Sequence, residues 1–210
     1  MPLWGTAHAS ATNKPKFLPE DEDSDYNKGD SFASQKGWVM QAGTPASGND
    51  NTSADEEVLV AIGDLAGVDA STGLRAPTVT DMRYIIGTTA NTDLTALQGT
   101  AEIQVEITWD EEVTVVISGG IPTLIIANGN ESGAGEGHYT LEYVVANDTP
   151  NRKRFIGTSK SLSVGDVLTI GSNDITLNSG TISDTVVGGT TLPASVVLSG
   201  ITAVTHTVLA

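Results

Sequence analysis

Apolar and polar residues alternate without a break from Glu102 to Trp109, placing Ile103, Val105, Ile107 and Trp109 on one face and Glu102, Gln104, Glu106 and Thr108 on the other. This period of two predicts a half-buried strand. Tyr139, Leu141, Tyr143 and Val145 alternate in the same way with Thr140, Glu142 and Val144. Short apolar runs predict more strands at Val113 to Ile117, Thr123 to Ala127, Val167 to Ile170, Ile175 to Leu177, Val196 to Leu198 and Ile201 to Val208. Between them lie Ser118-Gly119-Gly120, Asn128-Gly129-Asn130, Gly171, Asn178-Ser179-Gly180 and Gly188-Gly189, residues that accept turn geometry. Thr92 to Gln98 has room for one helical turn at most. Short strands at regular spacing with no long helix predict an all-β sandwich or barrel. Its expected core contains Ile103, Val105, Ile107, Trp109, Leu141 and Tyr143. Asn147 to Ser161, with Arg152-Lys153-Arg154 in the middle, reads as a long loop.

The first part of the chain has a different texture. Residues 1–57 are polar and aperiodic, with the acidic run Glu20-Asp21-Glu22-Asp23-Ser24-Asp25 at the centre and a few irregularly spaced apolar residues. Such a segment cannot by itself offset chain ordering, which costs ~1–2 kcal/mol per residue in backbone entropy. It is expected to be an extended arm, either disordered or ordered on a partner. Large rings on a polar strap supply affinity, because each buries roughly 150–250 Å² on docking. Leu3, Trp4, Phe17, Leu18, Phe32 and Trp38 are therefore the candidate partner-binding residues. Residues 58–75 read as a short strand, Val58 to Ile62, and a connector; Ala76-Pro77 opens the sandwich, expected to run over residues 76–210.

Composition narrows the function classes. The 210-residue chain has no cysteine, which excludes disulfides, thiolate metal sites and cysteine nucleophiles. Its net charge of −16 repels polyphosphate, and Arg152-Lys153-Arg154 is too short a basic run to reverse that, so no nucleic-acid partner is expected. No stretch reaches the ~20 apolar residues needed to span a bilayer, so no membrane partner is expected either. The residues from Met1 to His8 lack the basic start and apolar stretch of a signal peptide, predicting that the conventional secretory route is not used.

A string of small motifs carries a resemblance. Ala76-Pro77-Thr78-Val79-Thr80, the Ile103 to Trp109 alternation, Glu112-Val113-Thr114-Val115, Ile121-Pro122-Thr123-Leu124 and Asn128-Gly129 resemble the first half of a bacterial immunoglobulin-like repeat module. Tyr139-x-Leu141-x-Tyr143-Val144-Val145, Val164-Gly165-Asp166 and Leu177-Asn178-Ser179-Gly180-Thr181-Ile182-x-Asp184 resemble its second half. The likeness covers about residues 76–184; Gly188 to Ala210 has no clear counterpart. It implies an immunoglobulin-like β-sandwich behind the extended N-terminal arm, and no catalytic residues. The segments Leu3-Trp4-Gly5, Asn13-Lys14-Pro15-Lys16-Phe17-Leu18, Lys36-Gly37-Trp38-Val39 and Glu57-Val58-Leu59-Val60-Ala61-Ile62-Gly63 resemble the start of small virion proteins of tailed phages of marine bacteria and cyanobacteria.

Together the resemblances imply a non-enzymatic capsid decoration or accessory protein on the exterior of a phage particle. Its expected partners are other virion proteins, above all the major capsid protein, with self-association as an open alternative. A second reading is a surface- or carbohydrate-binding immunoglobulin-like module, a tail or fibre component contacting host-surface glycans through the loops Asn128 to His138 and Asn147 to Ser161. Candidate chemistry is thin. His8, His138 and His206 are too far apart for a zinc set, and Ser132-Gly133-Ala134-Gly135 has no following helix to make a nucleophile elbow or phosphate loop. No cofactor is expected. Calcium is the one ion considered: Asp21, Asp23 and Asp25 alternate as its ligands do, but without the glycine and closing glutamate of an EF-hand. Asp110-Glu111-Glu112 could join Asn128, Asn130 or Glu131, against the alternative of a solvated acidic surface.

Overall fold

A computed structural model describes residues 18, 30–34, 37–42, 51, 53–61, 76–86, 89–90, 99–129, 137–185 and 191–208. All thirteen elements among them are strands: β1 (Ser31–Ser34), β2 (Gly37–Met40), β3 (Glu57–Ala61), β4 (Val79–Ile86), β5 (Thr89–Ala90), β6 (Gly99–Trp109), β7 (Val113–Val116), β8 (Thr123–Asn128), β9 (Tyr139–Thr149), β10 (Arg152–Leu162), β11 (Val167–Ile170), β12 (Thr181–Asp184) and β13 (Val204–Thr207). The protein is all-β, as the alternation predicts. Eight strands form one sheet in the order β13-β11-β8-β9-β10-β6-β4-β5, and β12-β7 is a separate pair. The large sheet curls on itself, so that His206 on β13 meets Tyr84 on β4 edge to face, with ring centroids 5.3 Å apart. The arrangement is a sandwich close to a barrel.

The period of two does the packing. Ile103, Val105, Ile107 and Trp109 point inward with Leu141 and Tyr143, and all six are buried in one cluster that extends from Val79 to Val208. Each fully buried side chain of this size contributes about 1.5–3 kcal/mol. The β7-β12 pair closes the cluster with Val113 and Ile182, and the Trp109 indole N–H donates to the Ser195 carbonyl at 2.9 Å. Two of the expected turns lock together at one end. An added Cβ at Gly120 would lie 1.8 Å from the Asn178 carbonyl oxygen, and one at Gly119 would lie 2.1 Å from that of Ser179, so only glycine allows this backbone approach. Asn178 and Ser179 take positive φ, and the Asn178 amide donates to the Ile121 carbonyl at 2.9 Å.

Several expectations are corrected. Asn147 to Ser161 is no loop: Glu142 to Thr149 and Arg152 to Ile156 pair as a hairpin turning at Pro150-Asn151. Ile175 to Leu177 and Val196 to Leu198 are not strands but extended segments, joined by the Ile175 N–H donating to the Val196 carbonyl at 3.0 Å. From Ile201 to Val208 only Val204–Thr207 is strand, and it supplies the edge of the large sheet. The possible turn at Thr92 to Gln98 lies outside the described residues.

The N-terminal part departs furthest from expectation. Where described, the extended arm is replaced by a three-stranded antiparallel sheet, β1-β2-β3. All eight residues of β1 and β2 are buried, while β3 leaves Val58 and Val60 exposed. This sheet is joined to the sandwich: the Ala33 N–H donates to the Asp110 carbonyl at 2.7 Å, and the Ala33 carbonyl accepts from Glu112 N–H at 2.9 Å.

Candidate functional site

The most concentrated chemistry lies on the outward face of β4, β6 and β10. Antiparallel register places Arg83, Glu106 and Arg154 in one row, and Asp81, Thr108 and Arg152 in the next. Cross-strand neighbours on one face stand about 4.5–5.5 Å apart at Cβ, so the single carboxylate is flanked by arginines on both sides. Arg83 Nε and Nη2 donate to Glu106 Oε1 at 3.0 and 2.7 Å. Arg154 Nε donates to Oε2 at 3.3 Å, and Arg152 Nε stands 3.9 Å from Oε1. Arg152 also pairs with Asp30, the residue before β1. Glu106 is 3% exposed, although alternation assigned it to a solvent face.

Burial by itself would raise the Glu106 carboxyl. The Arg83, Arg152 and Arg154 guanidiniums outweigh it and hold the group below the usual carboxylate range. Burial likewise pulls on Arg83, but Glu106 beside it leaves that guanidinium above its ordinary value. The cluster therefore stays ionised, and its chemistry is charge pairing and hydrogen bonding rather than proton transfer near neutrality.

A second group lies at the hairpin end. Tyr143 Oη donates to Asp148 Oδ2 at 2.5 Å, and Lys153 Nζ stands 3.1 Å from the same oxygen and donates to the Thr149 carbonyl at 2.9 Å. Burial raises the Asp148 carboxyl despite both partners, and it raises the Tyr143 hydroxyl as well. Other carboxylates bind loop amides. Asp110 accepts from Thr78 N–H and Oγ1 at 2.6 Å each, Asp166 from Ser163 N–H at 2.9 Å, Asp174 from Leu198 N–H at 2.9 Å and Asp184 from Leu192 N–H at 2.6 Å.

The residues singled out from the sequence fall into two sets. Leu3, Trp4 and Phe17 lie outside the described residues. Leu18 is buried against Met40 with Leu59 alongside, Phe32 is fully buried on β1, and Trp38 is 3% exposed on β2. These three are buried within the chain's own fold, Phe32 and Trp38 on short strands whose residues are buried on both faces. Among the described residues the calcium candidates are not brought together as a site. Asp110 is engaged by Thr78, Asn128 Oδ1 accepts from Val167 N–H at 3.3 Å, and Asp21, Asp23, Asp25, Asn130 and Glu131 lie outside the described residues. Among the described residues no three His, Cys, Asp or Glu side chains are placed to hold a metal ion. His138 Nδ1 accepts from Asn128 N–H at 3.2 Å, and His206 is a strand residue.

Sequence reasoning missed Glu106 with Arg83, Arg152 and Arg154. The usable signal was the i, i+2 spacing of Arg152 and Arg154, which places both on one face once Asn147 to Ser161 is read as strand. Comparisons with protein families, curated proteins and solved structures find no match to this chain.

Proposed function

We propose that the chain is a non-enzymatic structural protein of a tailed-phage particle, a decoration or accessory protein that attaches through its N-terminal residues and projects the β-sandwich from the particle exterior. One observation carries this reading. Four of the five buried carboxylates among the described residues, Glu106, Asp110, Asp166 and Asp184, are engaged by arginines, amides or hydroxyls of the same chain, as befits a protein whose polar interior serves rigidity. The immunoglobulin-like and virion-protein resemblances supply the setting, and the major capsid protein is the proposed partner.

Because Leu18, Phe32 and Trp38 belong to the fold, attachment is assigned to Leu3, Trp4 and Phe17. Interfaces concentrate their free energy in a few large side chains, where truncation costs ~2 kcal/mol or more. Particles lacking the protein are incubated with wild type and with Trp4→Ala, and occupancy is read by quantitative mass spectrometry. The reading expects wild type on the particle and at least about a tenfold loss of affinity for the variant. Absence of wild type from particles overturns the virion role, and full occupancy by Trp4→Ala moves attachment to the sandwich.

A further inference from the structure

Four aliphatic side chains stand exposed at one end of the sandwich: Val116, Ile117, Ile121 and Val145 are 44%, 44%, 41% and 64% exposed. The backbone brings them together. Val116 ends β7, and the Ile117 carbonyl accepts from Gly120 N–H at 3.1 Å, closing a tight turn with Ile117 on one side and Ile121 on the other. The Pro122 carbonyl accepts from Tyr143 N–H at 2.9 Å, which sets Ile121 at the level of Val144. Val145 follows in a bulge: between the pairs Val144–Arg154 and Thr149–Arg152, β9 carries Val145 to Asp148 against Lys153 alone. Asp148 anchors this bulge to Tyr143 and Lys153. The patch is also free of charge. Residues 113–130 contain no Asp, Glu, Lys or Arg, and neither do residues 175–183, whose turn packs on Gly119 and Gly120 and whose Thr181 pairs with Val116. Asp148 is matched by Lys153, and Glu142, opposite Thr123, stands at the rim. Exposed valines elsewhere lack this setting: Val58 and Val60 follow Asp55-Glu56-Glu57, and Val164 and Val197 are isolated along the chain.

We propose that this patch is the contact surface for a second copy of the chain, related by a two-fold axis that lays each patch on its counterpart. The contact does not depend on the virion role. Contiguous exposed apolar surface with a polar rim marks an interaction site, and charge selects the occupant. Two copies at −16 each repel wherever acidic surface meets acidic surface. A two-fold contact superimposes like on like, so it needs a neutral face. A different protein recognising this chain would draw on its acidic charge for attraction, which the patch does not offer. Four side chains with their surroundings supply less than the roughly 800 Å² per partner of a standard interface, so the dimer is weak.

Sedimentation equilibrium tests this, with the chain at about 10 µM to about 1 mM in about 0.1 M and about 0.5 M sodium chloride. A monomer–dimer equilibrium is expected, half complete at about 0.1–1 mM. The higher salt should tighten it about two- to tenfold, because screening relieves the repulsion between like-charged copies and leaves a neutral contact untouched. Ile117→Asp/Ile121→Asp sets like charges across the axis and should weaken the dimer at least about tenfold. Val58→Asp/Val60→Asp adds the same charge on the N-terminal sheet and should leave it within about twofold. Should the first variant fail to fold, Val145→Asp carries the same test. A chain that is monomeric at about 1 mM assigns the patch to a different protein and overturns the proposal. Growth beyond the dimer, or a dimer that the patch variants weaken no more than Val58→Asp/Val60→Asp does, overturns it as well.

Discussion

The inner and outer faces of β4, β6 and β10 are built from the same three strands, yet the buried inner face and the half-buried outer one are held by opposite means. Inward lie Met82, Tyr84, Val105, Ile107 and Phe155, an apolar surface whose order does not depend on any one partner. Outward lie Arg83, Glu106, Arg152 and Arg154, where each charge tolerates burial only because the others are present. Apolar burial is additive and non-directional, whereas ionic burial combines a large desolvation cost with a large attraction and leaves a small difference. The inner face should therefore degrade with every removed group, while the outer face should fail when Glu106 alone is lost and recover when Glu106 is replaced together with Arg83 and Arg154, since Arg152 keeps Asp30.

The largest effect breaks the inner face. Val105→Asp places a charge at a fully buried position with apolar neighbours, and a loss of more than about 4 kcal/mol in urea denaturation is expected. A parent-like midpoint would mean that the strand facing is wrong. On the outer face, Glu106→Gln is expected to lose about 3 kcal/mol, whereas the triple variant Arg83→Met/Glu106→Leu/Arg154→Met should return to within about 1 kcal/mol of wild type. If the triple variant is worse than the single, the cluster is not held together by mutual compensation.

Deleting residues 1–61 should leave a cooperatively folding β protein, since the sandwich cluster starts at Val79, with Tm lowered by roughly 2–4 °C for each kcal/mol lost with the Ala33 backbone bonds and the Asp30–Arg152 pair. An unfolded product would make the N-terminal sheet part of one core. The smallest effect is at Asp184, whose carboxyl is raised by burial although the Leu192 amide donates to it. A raised group favours the fold below its unfolded pKa of about 3.9 and loses that contribution as pH rises through the folded value. Asp184→Asn keeps an acceptor for Leu192 and removes the charge. It should be neutral to slightly stabilising at pH 7, a difference that vanishes below about pH 4 in paired thermal melts.

How much of this was legible follows from where each signal resides. The strand at Glu102 to Trp109 was readable because its period is local and its inner residues are uniformly apolar. The hairpin strand at Arg152 was not, because its inward positions carry Lys153, Phe155 and Gly157 while Ile156 points outward, so the apolar alternation is scrambled. Ser31–Ser34 and Gly37–Met40 were missed for another reason. Four residues buried on both faces show no alternation at all.

The sequence by itself determined the all-β class, the core-facing set from Ile103 to Tyr143 and the glycine turns, since each depends on the preferences of residues close together in the chain. Tertiary structure alone decided that the Ser118-Gly119-Gly120 and Asn178-Ser179-Gly180 turns meet, and that Phe32 and Trp38 belong to the fold. It also decided that Glu106 is shared among arginines at 83, 152 and 154. Those outcomes depend on which distant strands become neighbours. Burial of a polar face is a property of the covering element rather than of the strand that is covered.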